Sequence, residues 1–296
     1  MQGEPKVAVV GTGRMGGTMV GTLRRAGAEV VCFNRSRAKA EEVARRSGAA
    51  VAGSAREAVE GAGVVLSSLA DDAAVEAAYA GPDGLAAGLA AGAVVCESST
   101  VHPRTIAAVA PLVAGRGAAL LDTPVSGSVQ LLERGELTVM AGGDAAALER
   151  ARPVLGLLAT KVFHTGDLGT GATMKLAVNT IVHGLNLALS EALVLAEKAG
   201  VAREAAYEVF ANSAVAAPFV LYKRPAYEHP EQTPVAFSLG LVAKDLDLAL
   251  DLAAQAGATM EQAATNRRVV GAAVAAGLGD HDLSALATYL RGPGKG

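Results

Sequence analysis

Residues 6–26 constrain the fold most tightly. An apolar run, Lys6-Val7-Ala8-Val9-Val10, gives way at once to Gly11-Thr12-Gly13-Arg14-Met15-Gly16 and then to a helix-forming stretch that ends near Ala26. Four apolar residues without alternation suit a strand buried on both faces, as in a parallel sheet covered by helices. After such a strand, Gly11 permits a tight turn, Gly13 lets the backbone come close to a phosphate, and Gly16 lets the helix pack against the strand. The helix N-terminus then offers N–H groups to an anion. The spacing alone is a weak signal in a chain with 35 glycines. Its place between a strand and a helix points to a dinucleotide pyrophosphate rather than an ordinary turn.

The rest of the first half repeats this alternation. Strands are expected at Val7–Val10, Val30–Phe33, Val64–Ser68, Val94–Glu97, Ala118–Asp122 and Leu137–Ala141. Helices are expected near Gly16–Ala26, Arg37–Ser47, Asp72–Ala80, Pro103–Gly115 and Ala145–Leu155. This is the pattern of an α/β fold, an N-terminal Rossmann-type doubly wound parallel sheet. After about residue 165 the strands stop. Gly169–Gly200 reads as one long helix, with Leu176, Ile181, Leu185, Leu189, Leu193 and Ala196 at near-helical spacing. Further helices are expected at Arg203–Ser213, Leu239–Gln255, Glu261–Ala276 and Leu283–Leu290. The expected domains are therefore 1–164, binding the dinucleotide, and 165–296, an all-α domain for substrate and dimerisation, joined by the long helix. The tail Gly292-Pro293-Gly294-Lys295-Gly296 is expected to be disordered.

Charge and composition narrow the class. The net charge of -3 is not gathered into blocks and aromatics make up only 3%, so the basic stripe and stacking aromatics of a nucleic-acid binder are missing. No run of about 18 uncharged apolar residues argues for a membrane span. The segment Met1–Lys6 has no signal-peptide cleavage pattern, so the expected compartment is cytoplasmic. Cys32 and Cys96 fall in expected strands and read as small core residues. The five histidines show no metal-ligand spacing, and no metal site is expected.

The end of the second strand bears on which dinucleotide is held. An NAD site usually places an acid there for the ribose hydroxyls; here the strand ends in Asn34-Arg35-Ser36-Arg37. Arg35 stands where a guanidinium could hold a 2′-phosphate bidentately, with Asn34 and Ser36 adding neutral hydrogen bonds. NADP is therefore expected, with NAD possible.

Two more segments suggest a reaction. Asp122-Thr123-Pro124-Val125-Ser126-Gly127-Ser128 follows a strand, at the sheet edge where ligands bind, and its Ser and Gly residues could hold a carboxylate. In Gly169-Thr170-Gly171-Ala172-Thr173-Met174-Lys175-Leu176-Ala177-Val178-Asn179, Lys175 and Asn179 share one helix face. Apolar flanks would desolvate Lys175 and bring its pKa toward the range useful for proton transfer.

Taken together, Gly11-x-Gly13-x-Met15-Gly16-x-x-Met19, Asp122-x-Pro124-Val125-Ser126-Gly127, Gly169-x-Gly171-x-x-x-Lys175-x-x-x-Asn179 and Lys244-Asp245-Leu246-x-Leu248-Ala249 resemble the β-hydroxyacid dehydrogenases. The resemblance spans nearly the whole chain. It implies hydride transfer between a nicotinamide and a small β-hydroxyacid or semialdehyde, in a cleft between the two domains. It further implies Lys175 as general acid/base and Asn179 as the residue that orients substrate. Ser126, Gly127 and Ser128 match the substrate-binding turn, and Leu69, Thr100 and Lys244 match cofactor contacts. Homodimers or homotetramers are implied as well. The chain departs from the family pattern at Ser128, where glycine is usual, and at Leu132, where alanine is usual; both changes are expected to reshape the substrate pocket. Leu69-Ala70-Asp71 replaces Leu-Pro-Asp, and Val178 replaces an Asn. Imine reduction on the same fold and a non-catalytic dinucleotide-binding protein are the rival readings; retention of Lys175 speaks for carbonyl chemistry. His183, one turn beyond Asn179, is expected to be a packed or interfacial histidine.

Overall fold

The computed structural model describes residues 6–292. Residues 1–5 and the tail beyond Gly292, where the signal-peptide and disorder expectations fall, lie outside the described residues. The chain forms two compact units that divide between Lys175 and Leu176. The boundary expected at 164/165 falls inside the last strand of the first unit.

The first unit runs β1 (Lys6–Val10), α1 (Arg14–Arg25), β2 (Glu29–Phe33), α2 (Arg37–Ser47), β3 (Ala50–Val51), α3 (Ala55–Val59), β4 (Val64–Ser67), α4 (Asp72–Tyr79), α5 (Leu85–Gly88), β5 (Val94–Glu97), α6 (Pro103–Ala114), β6 (Ala119–Asp122), β7 (Val125–Ser126), α7 (Val129–Glu133), β8 (Leu137–Gly142), α8 (Ala145–Leu155) and β9 (Ala159–Gly166). One sheet takes the order β3-β2-β1-β4-β5-β6-β8-β7, with β9 also on β8. The chain winds outward from β1 in both directions, so the turn after β1 sits where the strand order reverses, the usual place for a ligand in an open α/β sheet.

Pairing is parallel from β3 through β6. The wholly parallel sheet expected from sequence ends there, because β8 runs antiparallel to both β6 and β7. The stretch between β6 and β8 holds only β7 and the five-residue α7. It therefore does not return the chain along the sheet as a full crossover helix would. The 11-residue α8 makes that return, and β9 is parallel to β8.

Burial on both faces is what the unbroken apolar strands require. Val7 and Val9 of β1 join a core with α1 and α8, whereas Ala8 and Val10 join a second core with α3, α4 and α6. Cys32 and Cys96 are free and fully buried in these cores. Burial raises both thiols, Cys96 to about 12.

The second unit is helical. It begins within α9 (Thr170–Lys198) and continues through α10 (Arg203–Ala211), α11 (Pro218–Glu228), α12 (Leu239–Ala256) and α13 (Glu261–Ala273). A widened turn over Val274–Leu278 then leads to α14 (Ala285–Arg291). By length and composition α9 could cross a membrane, yet 56% of its apolar stretch is buried inside the protein, as in a core helix. Leu187, Leu193, Val242, Leu246 and Val270 build the core. Ile181, expected on the apolar stripe of α9, is 72% exposed. Leu176, Leu189 and Leu193 of that stripe are buried, and polar residues at helical spacing are buried with them: Asn179, His183, Asn186 and Ser190.

Candidate active site

The glycine turn is held from behind. Gly11 adopts φ +93, donates its N–H to Phe33 O at 2.8 Å, and lies so close to Ser68 that an added Cβ would stand 2.2 Å from the Ser68 carbonyl oxygen. A Cβ on Gly16 would stand 1.9 Å from Gly11 O. Close packing therefore requires glycine at both positions. Gly13 differs: its φ is -66 and an added Cβ would meet nothing within 4 Å. Neither backbone conformation nor protein packing calls for glycine there; a ligand approaching the N-terminus of α1 would. That N-terminus has no side-chain cap and no acid in its first turn, so its N–H groups are left to a ligand. Thr12 Oγ1 is buried without a partner beside them, while Arg14 is exposed and Met15 half-buried. The residues fit a dinucleotide pyrophosphate.

Asn34 and its neighbours divide their work. Thr12 N donates to Asn34 Oδ1 at 3.0 Å, and Asn34 Nδ2 donates to Ser36 O at 3.0 Å. The Asn34 amide thus braces the glycine turn against the loop after β2, a role the sequence did not reveal. Ser36 is exposed at the start of α2. Arg37 pairs with Glu41 at 2.7 Å. Arg35 is exposed and makes no hydrogen bond or ion pair among the described residues, so its guanidinium faces solvent at the end of β2.

The loops after β4, β5 and β6 are tied to one another. Leu69 N donates to Ser99 Oγ at 2.7 Å, and Ser99 N donates to Glu97 Oε1 at 2.8 Å. Thr123 N donates to Glu97 O at 2.7 Å. Leu69 and Thr100 are half-buried on these loops. Ser126 lies in β7, half-buried, opposite Thr138 of β8. Gly127 follows at φ +140, and Ser128 caps α7 by accepting Leu131 N at 3.3 Å. Leu132, expected to reshape a substrate pocket, does not line one: it is fully buried in the core of the first unit, and Thr22 Oγ1 donates to its carbonyl oxygen at 3.2 Å. Its side chain is long enough to reach that core from α7, where it takes part in packing.

Lys175 is placed by the start of α9. Asp122, fully buried at the end of β6, accepts Gly169 N at 2.8 Å on Oδ1 and Ala172 N at 2.6 Å on Oδ2. A carboxylate on the free N–H groups of a helix N-terminus satisfies them and opposes the positive end of its dipole. Burial pushes the Asp122 carboxyl above its ordinary range even against these bonds. The sequence marked Asp122 only as part of a motif; the structure makes it the anchor of the helix that carries Lys175. Lys175 itself is half-buried.

One turn on, Asn179 Nδ2 donates to Asp245 Oδ2 at 2.6 Å. Lys244 Nζ lies 2.9 Å from Asp245 Oδ1, and His183 Nε2 lies 3.6 Å from Oδ2. Burial alone would raise the Asp245 carboxyl, but His183 and Lys244 outweigh it and hold it below the ordinary range. His183 is 2% exposed and stacks on Phe237 with ring centroids 5.9 Å apart, so it is a packed histidine. Asp245 thus fixes one end of the Asn179 amide, which keeps its oxygen and its second N–H for other partners. Asp245 is the residue the sequence reading passed over, although it sits inside the quoted Lys244-Asp245-Leu246 motif.

Comparison with known proteins follows this geometry. The NAD-binding domain family of 6-phosphogluconate dehydrogenase matches residues 6–166. The family described as the NAD-binding domain of NADP-dependent 3-hydroxyisobutyrate dehydrogenase matches residues 169–290. An NAD-dependent L-serine dehydrogenase of Pseudomonas aeruginosa is 35% identical over 86% of this chain and 87% of its own length. A glyoxylate/succinic semialdehyde reductase of Arabidopsis thaliana is 32% identical over 95% of this chain and 96% of its own length. Among solved structures, Mycobacterium tuberculosis 3-hydroxyisobutyrate dehydrogenase with L-serine superposes with a TM-score of 0.83 at 33% identity, covering 97% of this chain and 99% of that one.

Proposed function

The chain belongs to the β-hydroxyacid dehydrogenase family and is an NAD(P)-dependent oxidoreductase; from that premise we propose that it is NADP-dependent and interconverts a small β-hydroxyacid and its semialdehyde. The observation that carries the reading is the pairing of an uncapped glycine turn with Lys175 on an anchored helix. The relatives' names, an L-serine dehydrogenase and a glyoxylate/succinic semialdehyde reductase, support the substrate class.

The nicotinamide, when bound, supplies or accepts the hydride at the carbonyl carbon. The turn of Gly11, Thr12, Gly13, Arg14, Met15 and Gly16 holds the pyrophosphate with the backbone N–H groups from Gly13 onward, since those of Gly11 and Thr12 go to Phe33 and Asn34. Arg35 holds the 2′-phosphate, and the absence of a carboxylate at the end of β2 removes the repulsion that would exclude it. Leu69, Thr100 and Lys244 border the nicotinamide end. Ser126 and Gly127, with Ser128 shaping the turn, bind the substrate carboxylate. Lys175 donates its proton to the carbonyl oxygen during reduction and, as the neutral amine, removes the hydroxyl proton during oxidation. Asn179, with one end of its amide fixed by Asp245, orients the substrate beside Lys175.

Absorbance of NADPH and NADH, followed with a panel of semialdehydes, glyoxylate and cyclic imines, tests this. Consumption of NADPH with the aldehydes is the expected result. Turnover of imines alone, or of nothing, would overturn the carbonyl reading. Arg35→Ala should weaken NADPH by about tenfold or more while NADH changes little, as expected when one charge-assisted contact to phosphate is lost. Equal losses would remove Arg35 from the phosphate.

A further inference from the structure

Three loops that carry the proposed nicotinamide and substrate contacts are tied, directly or through Ser99, to one residue that no solvent reaches. Glu97 is 0% exposed at the end of β5, and Tyr79 is 0% exposed at the end of α4. Tyr79 Oη donates to Glu97 Oε2 at 2.9 Å, and Ser99 N donates to Oε1 at 2.8 Å. Ser99 passes the constraint on, since its Oγ accepts Leu69 N at 2.7 Å. The Glu97 backbone oxygen takes Thr123 N at 2.7 Å, and Ser98 Oγ lies 3.1 Å from Thr123 Oγ1. Leu69, Thr100 and the turn that starts at Thr123 therefore share one buried support.

We propose that the Tyr79–Glu97 pair is a positioning device for the nicotinamide end of the dinucleotide: it fixes where Leu69 and Thr100 stand, and meets the phosphate cradle at Gly11–Gly16 only through the packing of that turn against Ser68 and Leu69. The proposal rests on the dinucleotide reading above. Two features favour function over simple packing. A buried carboxylate is a costly way to fill space, and both of its oxygens accept donors, one of them from a loop that bears a proposed contact. Neither atom of the pair can touch the cofactor itself, so the effect acts through Ser99 and Leu69.

The test separates the two ends of the cofactor. Binding of NADPH and of 2′,5′-ADP, which lacks the nicotinamide half, is measured for the full chain and for Tyr79→Phe, Glu97→Ala and Glu97→Gln; should NADH prove the tighter ligand, NADH and 5′-AMP replace them. Tyr79→Phe removes a single hydroxyl and serves where Glu97→Ala fails to fold. The proposal expects 2′,5′-ADP affinity to stay at the wild-type level. It expects NADPH affinity to fall and hydride transfer in a single turnover to slow by up to about a hundredfold, the scale of a small misplacement at the reacting centre. Glu97→Gln, which can still accept Ser99 N–H and donate to the Tyr79 oxygen, should restore most of both. Equal loss of both ligands would make the pair a support of the whole unit and overturn the proposal. Unchanged NADPH binding and transfer would overturn it as well. A wild-type chain that binds neither dinucleotide would refute the reading beneath it, a result distinct from either.

Discussion

In the first unit, Glu97 and Asp122 sit at the ends of β5 and β6 among neutral donors: the Tyr79 hydroxyl and the N–H groups of Ser99, Gly169 and Ala172. In the helical unit, Asp245 and Asp282 each lie against a lysine. Lys223 Nζ reaches both Asp282 oxygens at 2.8 Å, and Ala236 N and Phe237 N also donate to Oδ2. Burial raises all four carboxyls; it prevails at Glu97 and Asp122, whereas Lys223 at Asp282, and His183 with Lys244 at Asp245, outweigh it. The first unit uses buried carboxylates to hold backbone geometry in the loops after its strands and at the start of α9. The second uses them as charge partners that lock helices and the loop before α12.

Three substitutions and one change of pH can break that comparison. The largest effect is expected from Lys223→Met, which strands the Asp282 charge in a buried site. Loss of one partner of a buried pair costs about 3–5 kcal/mol, read by denaturant unfolding near neutral pH. The loss should shrink in acid as Asp282 takes up a proton, and a pH-independent loss would contradict the charge role.

A smaller effect tests the first unit's claim that geometry rules there. Gly16→Ala drives a Cβ into the Gly11 carbonyl and should destabilise by about 1–3 kcal/mol, the scale of overpacking. Gly13→Ala should change stability by no more than about 0.5 kcal/mol yet weaken NADPH binding. If the two alanines behave alike toward NADPH and heat, the open space at Gly13 is not a ligand's.

The smallest effect is in pH dependence. Asp245 and Asp282 have folded pKa values below their unfolded ones, so their stabilisation is present above the ordinary carboxylate range and is lost as pH falls through the folded values. Glu97 and Asp122 have raised values, so their contribution is full below the unfolded pKa and is lost as pH rises through the folded one. Between pH about 5 and 3, around the ordinary carboxylate range, amide hydrogen exchange should show α12 and the loop before it losing protection ahead of β5 and β6. The reverse order would contradict the comparison.

The same contrast explains what could be read from sequence. β1, β4, β5, β6 and β8 were legible because double-sided burial leaves apolar runs such as Val7–Val10; β2, half-buried on one face, carries the apolar run Val30–Phe33 as well. β9 was missed: as an edge strand with Lys161, Phe163 and His164 exposed, it has neither a run nor an alternation. Pro218 and Pro225 hid α11 by interrupting its period, although Pro218 is well tolerated in a first helical turn. At the site, the glycines and Lys175 declared themselves through spacing. Asp122, Glu97, Tyr79 and Asp245 did not, because their work lies in contacts to residues 18 to 66 positions away. On α9 the apolar period located Leu176, Leu189 and Leu193 on the buried face, but not Ile181, and it gave no sign of the polar Asn179, His183, Asn186 and Ser190 that are buried there too.

The proposed function divides the work between a cradle that binds the cofactor and Lys175, which moves the proton. Lys175→Ala, titrated with NADPH by fluorescence and then mixed with a reactive semialdehyde, tests both halves in one preparation. The account predicts wild-type NADPH affinity with turnover reduced by about a thousandfold, the middle to upper range for loss of a general acid. Turnover within about tenfold of wild type, below the range such a loss produces, would contradict it.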